Sequence, residues 1–173
     1  MKIESIELHY ISMQLLQPFQ TSFGTDYQRP CVIVAAHGQG ETGWGECTAP
    51  KEPFYCAENA DTAWLVLKDY LIPMVLGQDL NTPGEAAALT RRVRGNQMAK
   101  AALENAVWDL FGKAEGKSLK ELIGGVRDRI EVGVSLGIQP SVDDLLTRVS
   151  ERLEQGYGRI KIKIRKGLEH DLV

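Results

Sequence analysis

The segment "GYGRIKIKIRKG", residues 156–167, decides how the rest of the chain is read. Ile160, Ile162 and Ile164 alternate with Lys161 and Lys163, the period of a β-strand. The isoleucines therefore share one face, and the two ammonium groups lie about 7 Å apart on the other. Taken alone, such a strand reads as a wet edge kept soluble by its lysines. The residues before it argue otherwise. In "RIEVGVSLGI", residues 129–138, Ile130, Val132, Val134 and Leu136 alternate with Glu131, Gly133, Ser135 and Gly137, giving a strand with one bulky and one small-residue face. Ser141 then caps a helix, with Asp144 three residues on and an apolar stripe of Val142, Leu145, Leu146, Val149 and Leu153. Strand, helix, strand is a parallel βαβ unit, and parallel strands are usually covered on both faces. Lys161, Lys163 and Ser135 are therefore expected to point into one shared interior. Burial and like charge both favour the neutral amine, and a neutral lysine can take a proton from carbon next to a carbonyl or carboxylate, provided something stabilises the resulting enolate. An amine that stays charged can grip an anion.

Upstream, the chain reads as strands and then helices. "CVIVAAHGQGETGWGEC", residues 31–47, is two apolar runs around Gly38, Gly40 and Gly43, a hairpin, and Ile6, Leu8 and Tyr10 precede it at strand spacing. Between them, "QPFQTSFGTDYQRP", residues 17–30, is punctuated by Pro18, Gly24 and Pro30 and reads as a loop carrying Phe19 and Phe23. A second loop, "TAPKEPFYC", residues 48–56, carries Phe54 and Tyr55. Ala60, Ala63, Trp64, Leu67 and Leu71 form a helical stripe stopped by Pro73. A denser stripe of Ala99, Ala102, Leu103, Ala106, Val107, Leu110 and Phe111 ends at Gly112, and its alanines imply a close-packed interface. Gly112, Gly116, Lys117 and Ser118 superficially resemble a phosphate-binding loop. Their spacing is off by one residue and they follow a helix where that motif needs a strand. The segment is instead a helix stop, a short helix and a joint at Gly124 and Gly125.

Composition narrows the function classes. The chain has 173 residues, 43% hydrophobic and 25% charged, with a formal net charge of -3, which gives no electrostatic reason to expect nucleic acid or an anionic membrane as partner. No apolar run approaches membrane-spanning length and no signal peptide is evident. Cys31, Cys47 and Cys56 lack paired spacing and read as reduced, small buried hydrophobes of a cytoplasmic protein. Glu131 alone makes a poor divalent-cation site and reads as a salt-bridge partner. His9, His37 and His170 are scattered and are assigned no role.

The "KIKI" of residues 161–164, the "VSLGI" of 134–138, the "PFQTSFG" of 18–24 and the "AALENAVWDL" of 101–110 together resemble the enolase superfamily. The likeness is to its muconate lactonizing enzyme subgroup, in the branch of o-succinylbenzoate synthases and N-acylamino acid racemases. That resemblance implies an α+β capping domain over residues 1–125, an antiparallel meander plus helices, followed over 126–173 by the first βαβ of an incomplete (β/α) barrel. It implies Lys163 as the proton-abstracting base, Lys161 and Ser135 at the substrate carboxylate, Phe19 and Phe23 on a capping loop that closes over substrate, and Tyr55 on a second such loop.

The implied reaction removes a proton α to a carboxylate, gives an enediolate held by Mg²⁺, and loses hydroxide on the way to menaquinone. Racemisation, dipeptide epimerisation and cycloisomerisation are the alternatives, and a non-catalytic interaction module is an alternative of another class. The resemblance also implies a small carboxylate substrate and a homo-oligomer. Its acidic metal ligands fall on later barrel strands, beyond Val173, so the chain reads as part of a longer enzyme and by itself as inactive. Where the family has Pro-Gly after the lysine strand, this chain has Lys166 and Gly167, a loop change.

Overall fold

A computed structural model describes residues 1–21 and 24–163. It divides into two compact units, Met1–Gln14 with Gln28–Val126, and Leu15–Tyr27 with Arg127–Val173. In the first unit the chain turns on Gln39 and Gly40, both at positive φ (51° and 78°). That pair suits the two-residue turn whose twist matches antiparallel strands. It joins β2 (Gly24–Gly38) to β3 (Glu41–Cys47), which pair antiparallel from Val32 opposite Cys47 to Gly38 opposite Glu41. β1 (Ser5–Thr21) completes a three-stranded sheet in the order β1-β2-β3.

Of the segment read as a loop over residues 17–30, the described residues 17–21 and 24–30 are instead strand, belonging to β1 and β2. Its prolines are tolerated for reasons of position. Pro18 lies on the edge strand β1, and Pro30 precedes Val32, where the ladder with β3 begins.

Against this sheet packs α4 (Gln97–Glu115), whose buried face is Ala99, Ala102, Leu103, Ala106, Val107, Leu110 and Phe111. The alanine stripe meets glycines: a Cβ added to Gly43 would lie 2.1 Å from the Ala106 carbonyl oxygen, and one added to Gly45 would lie 1.9 Å from that of Ala102. Strand and helix backbones thus touch with no side chain between them. Side chains of α4 also cover the outer edge of β3. Asp109 Oδ2 accepts from the Trp44 backbone N–H (2.8 Å), and Lys113 Nζ donates to the Thr42 carbonyl (2.8 Å), which blunts an otherwise unpaired strand edge. At the other end of α4, Glu58 Oε2 accepts from the backbone N–H groups of Met98 (2.8 Å) and Ala99 (3.3 Å), supplying the missing acceptor of the first turn.

The remaining helices complete the core. α1 (Ala60–Val66) opens on a capping box between Asn59 and Thr62. It continues through a π turn over Leu67–Leu71 into α2 (Ile72–Val75). Pro73 therefore does not stop the stripe. The widened turn hands the Ile72 N–H to the Leu67 carbonyl and leaves Pro73 in the first turn of a restarted helix, where its missing N–H is not needed. Short α3 (Glu85–Thr90) follows. α4 runs past Gly112 and ends at Gly116, in the left-handed conformation at φ 63°. α5 (Leu119–Leu122) is capped by Ser118 and Glu121. Cys31 and Cys47 are buried, Cys56 is half-buried, and all three are free thiols. No described helix is long and apolar enough to cross a membrane.

The second unit carries β4 (Val134–Leu136), α6 (Val142–Glu154) and β5 (Ile160–Ile162), with β4 and β5 parallel. Ser141 caps α6 by accepting from the Asp144 N–H (3.1 Å). Leu136 and Leu145 are buried. The first strand is shorter than its alternation predicts, and Ile130 and Val132 are 71% and 58% exposed. Only three of its residues have a ladder partner in β5, and alternation without a partner strand does not hold a chain extended.

Candidate active site

In β4 and β5, Val134 lies opposite Ile160, Ser135 opposite Lys161 and Leu136 opposite Ile162. Register partners of a parallel pair share a face, so Ser135 and Lys161 project to the same side. The period of two adds Lys163 and Arg159 to that row. The ladder continues one step beyond the strand, with the Lys163 N–H donating to the Leu136 carbonyl (3.1 Å). This fixes the backbone from which the second lysine projects.

Gly133, Val134, Ser135, Arg159 and Lys161 line a cavity of about 320 Å³. Lys163 Nζ lies 4.0 Å from the centroid of the Phe19 ring, near the end of β1. The fold thus brings together Ser135 with Lys161 at the cavity and Phe19 with Lys163 beside it. These pairs come from stretches of sequence well over a hundred residues apart in the second case.

The expectation of an enclosed interior needs correction. Lys163 is half-buried, but Lys161 and Ser135 are exposed. Since both of these residues line the cavity, water reaches it. Phe23 lies outside the described residues. Tyr55 belongs to the first unit and is 74% exposed on the turns that follow β3.

Arg159 was missed in reading the sequence, although its position two residues before Lys161 carried the signal. Its backbone and side chain come so close to Gly133 that a Cβ there would lie 2.8 Å from Arg159 Nε and 2.9 Å from the Arg159 carbonyl oxygen. A glycine at 133 is what admits the guanidinium to the cavity wall. Glu131 is exposed, and no group of three His, Cys, Asp or Glu side chains among the described residues could hold a metal ion.

Residues 5–124 match the family model described as the mandelate racemase / muconate lactonizing enzyme N-terminal domain. The chain belongs to the mandelate racemase / muconate lactonizing enzyme family. Among curated members of that family's wider group, it is 44% identical over 173 residues to an o-succinylbenzoate synthase of Bacillus subtilis, covering 99% of this chain and 46% of that protein. It is 43% identical over 173 residues to an N-succinylamino acid racemase of Thermus thermophilus, covering 100% of this chain and 47% of that one. A crystal structure of an enolase superfamily member from Listeria innocua matches with a TM-score of 0.89 and 37% identity, over 96% of this chain and 45% of that one. The family member described here therefore spans about half the length of the relatives it matches. Its antiparallel three-stranded sheet with helices is that of the enolase-type N-terminal capping domain.

Proposed function

We propose that residues 1–125 form the capping domain, and 126–173 the start of the (β/α) barrel, of an o-succinylbenzoate synthase-like enzyme acting on a small carboxylate. The observation that carries this reading is the row of Ser135, Lys161 and Lys163 on one face of a parallel strand pair, with a capping-hairpin aromatic against the last of them. Lys163, as the neutral amine, takes the proton from the carbon next to the substrate carboxylate. Lys161, as the ammonium, and the Ser135 hydroxyl hold that carboxylate in place. In the dehydration, Lys163 returns its proton to the departing hydroxyl, so water leaves and the lysine is again neutral. Phe19, Phe23 and Tyr55 belong to the segments that close over the substrate.

The described residues do not fit Mg²⁺, because they include no cluster of metal-ligating side chains. In this reading the metal's ligands come from outside them.

Racemisation of N-succinylamino acids is the second reading, favoured by the 43% identity to a racemase of that name over the whole chain. Both reactions begin with Lys163. The test is α-proton exchange in D₂O with the complete protein and Mg²⁺, offering succinylcyclohexadiene carboxylate and N-succinylamino acids in parallel. Dehydration of the first without racemisation of the second identifies the synthase, and the reverse identifies the racemase. Lys163→Ala is expected to lower exchange by at least about 10³-fold. Exchange that survives this substitution refutes the assignment of the base.

A further inference from the structure

We infer that Arg159 holds a second anionic group of the substrate, so that the cavity selects a dicarboxylate over a monocarboxylate. The inference rests on the proposed function, in which Lys161 and Ser135 hold the carboxylate beside the reacting carbon, and adds which substrates that same cavity takes. Gly133, Val134, Ser135, Arg159 and Lys161 line a space of about 320 Å³. Two of these residues are cations and none is an acid. Arg159 and Lys161 are two residues apart on an extended chain, so they project to one side from points about 7 Å apart. A single carboxylate between Lys161 and Ser135 leaves the guanidinium without an anion. A second carboxylate on the same ligand supplies one.

Three features suit the Arg159 end of the cavity to this task. The backbone that carries the side chain is fixed, because the Val134 N–H donates to the Arg159 carbonyl (3.0 Å) and the Lys163 N–H donates to the Leu136 carbonyl (3.1 Å) at the far end of the strand pair. The residue beside the guanidinium has no side chain to displace it: a Cβ on Gly133 would lie 2.8 Å from Arg159 Nε. Arg159 is also exposed, so a ligand in the cavity can reach it. A guanidinium meets a carboxylate with two parallel hydrogen bonds, which an ammonium cannot do. The two ends of the cavity therefore differ, an ammonium and a hydroxyl at one and a planar fork beside a glycine at the other. That difference gives a dicarboxylate one preferred orientation. Succinylcyclohexadiene carboxylate and N-succinylamino acids both carry a succinyl carboxylate besides the one next to the reacting carbon, so the inference serves either proposed reaction.

Calorimetric titration of the complete protein with Mg²⁺ tests this without turnover. It compares o-succinylbenzoate with the derivative whose succinyl carboxylate is a primary amide. The parent protein is expected to bind the diacid about 10- to 100-fold more tightly than the amide, the range of a charge-assisted hydrogen-bonded pair. Arg159→Gln is expected to bring that ratio close to one. Arg159→Lys, which keeps the charge without the fork, is expected to give an intermediate ratio and serves if the glutamine variant folds poorly.

A parent protein that does not distinguish the two ligands overturns the inference. So does a ratio unchanged in Arg159→Gln, even where both ligands bind more weakly, because a guanidinium that only supports the strand weakens both alike. Either result alongside α-proton exchange that still depends on Lys163 removes the role of Arg159 and leaves the proposed reaction standing. Failure of the reaction itself shows separately, as exchange that persists in Lys163→Ala.

Discussion

In the first unit, β3 lies so close to α4 that Gly43 and Gly45 face the carbonyls of Ala106 and Ala102 with no room for a methyl group. In the second, β5 and the residues on either side of it set Arg159, Lys161 and Lys163 in one row, and around Gly137, on the neighbouring strand's exit, a Cβ would meet nothing within 4 Å. Both regions are built from strands and helices, yet one is packed to contact and the other leaves its polar row accessible. Close packing maximises dispersion and excludes water, which makes a scaffold, whereas chemistry needs space that a ligand can enter. The contrast separates a close-packed scaffold from an accessible polar row in this chain.

Equivalent substitutions in the two regions should therefore differ in effect. Gly45→Ala forces β3 and α4 apart and is expected to destabilise by about 3 kcal/mol or more, lowering Tm by roughly 6–12 °C. A melt within a degree of the parent protein would contradict the close contact. Glu58→Ala, which strips the acceptor from the first turn of α4, is expected to cost about 1–2 kcal/mol in a denaturant titration. An unchanged midpoint would mean that water replaces the carboxylate there without loss.

A pH titration separates the regions further, because all three cysteines lie in the first unit. Burial pushes the Cys31 and Cys47 thiols up. An acid whose folded value is raised contributes stability that is fully present below the unfolded thiol value and is lost as pH climbs from there towards the folded one. Tm of the first unit is thus expected to fall modestly as pH passes above the ordinary thiol range, and the fall should shrink in Cys31→Ala/Cys47→Ala. An alkaline slope identical in that double variant would exclude the thiols as its source. Gly137→Ala in the second unit is expected to change stability by less than about 0.5 kcal/mol. A large loss there would show that the open row is as tightly packed as the scaffold.

Local patterns carried far because several of them agree with the tertiary contacts. The hairpin around Gln39 and Gly40, the alanine stripe of α4 and the Ser141 cap of α6 each rest on interactions between near neighbours or on one repeating face. Where the reading failed, long-range structure overrode a local signal. Pro18 and Pro30 look like loop punctuation until one strand is known to lie at a sheet edge and the other to outrun its partner. Pro73 looks like a stop until the preceding π turn shifts the hydrogen bonds past it. Ile130 and Val132 alternate like strand residues but lie beyond the paired segment, so they stay exposed.

The sequence by itself determined the alternation that puts Lys161 and Lys163 on one side of a strand, the βαβ order around them and the helical face that packs on the sheet. These follow from backbone periods of 2 and 3.6, which every short segment carries within it. Only the tertiary structure decided that Ser135 stands opposite Lys161, that Arg159 joins the cavity wall, and that the Phe19 ring rests on the Lys163 ammonium. Register and contact between distant segments depend on how whole elements settle against one another, and no local period encodes that distance.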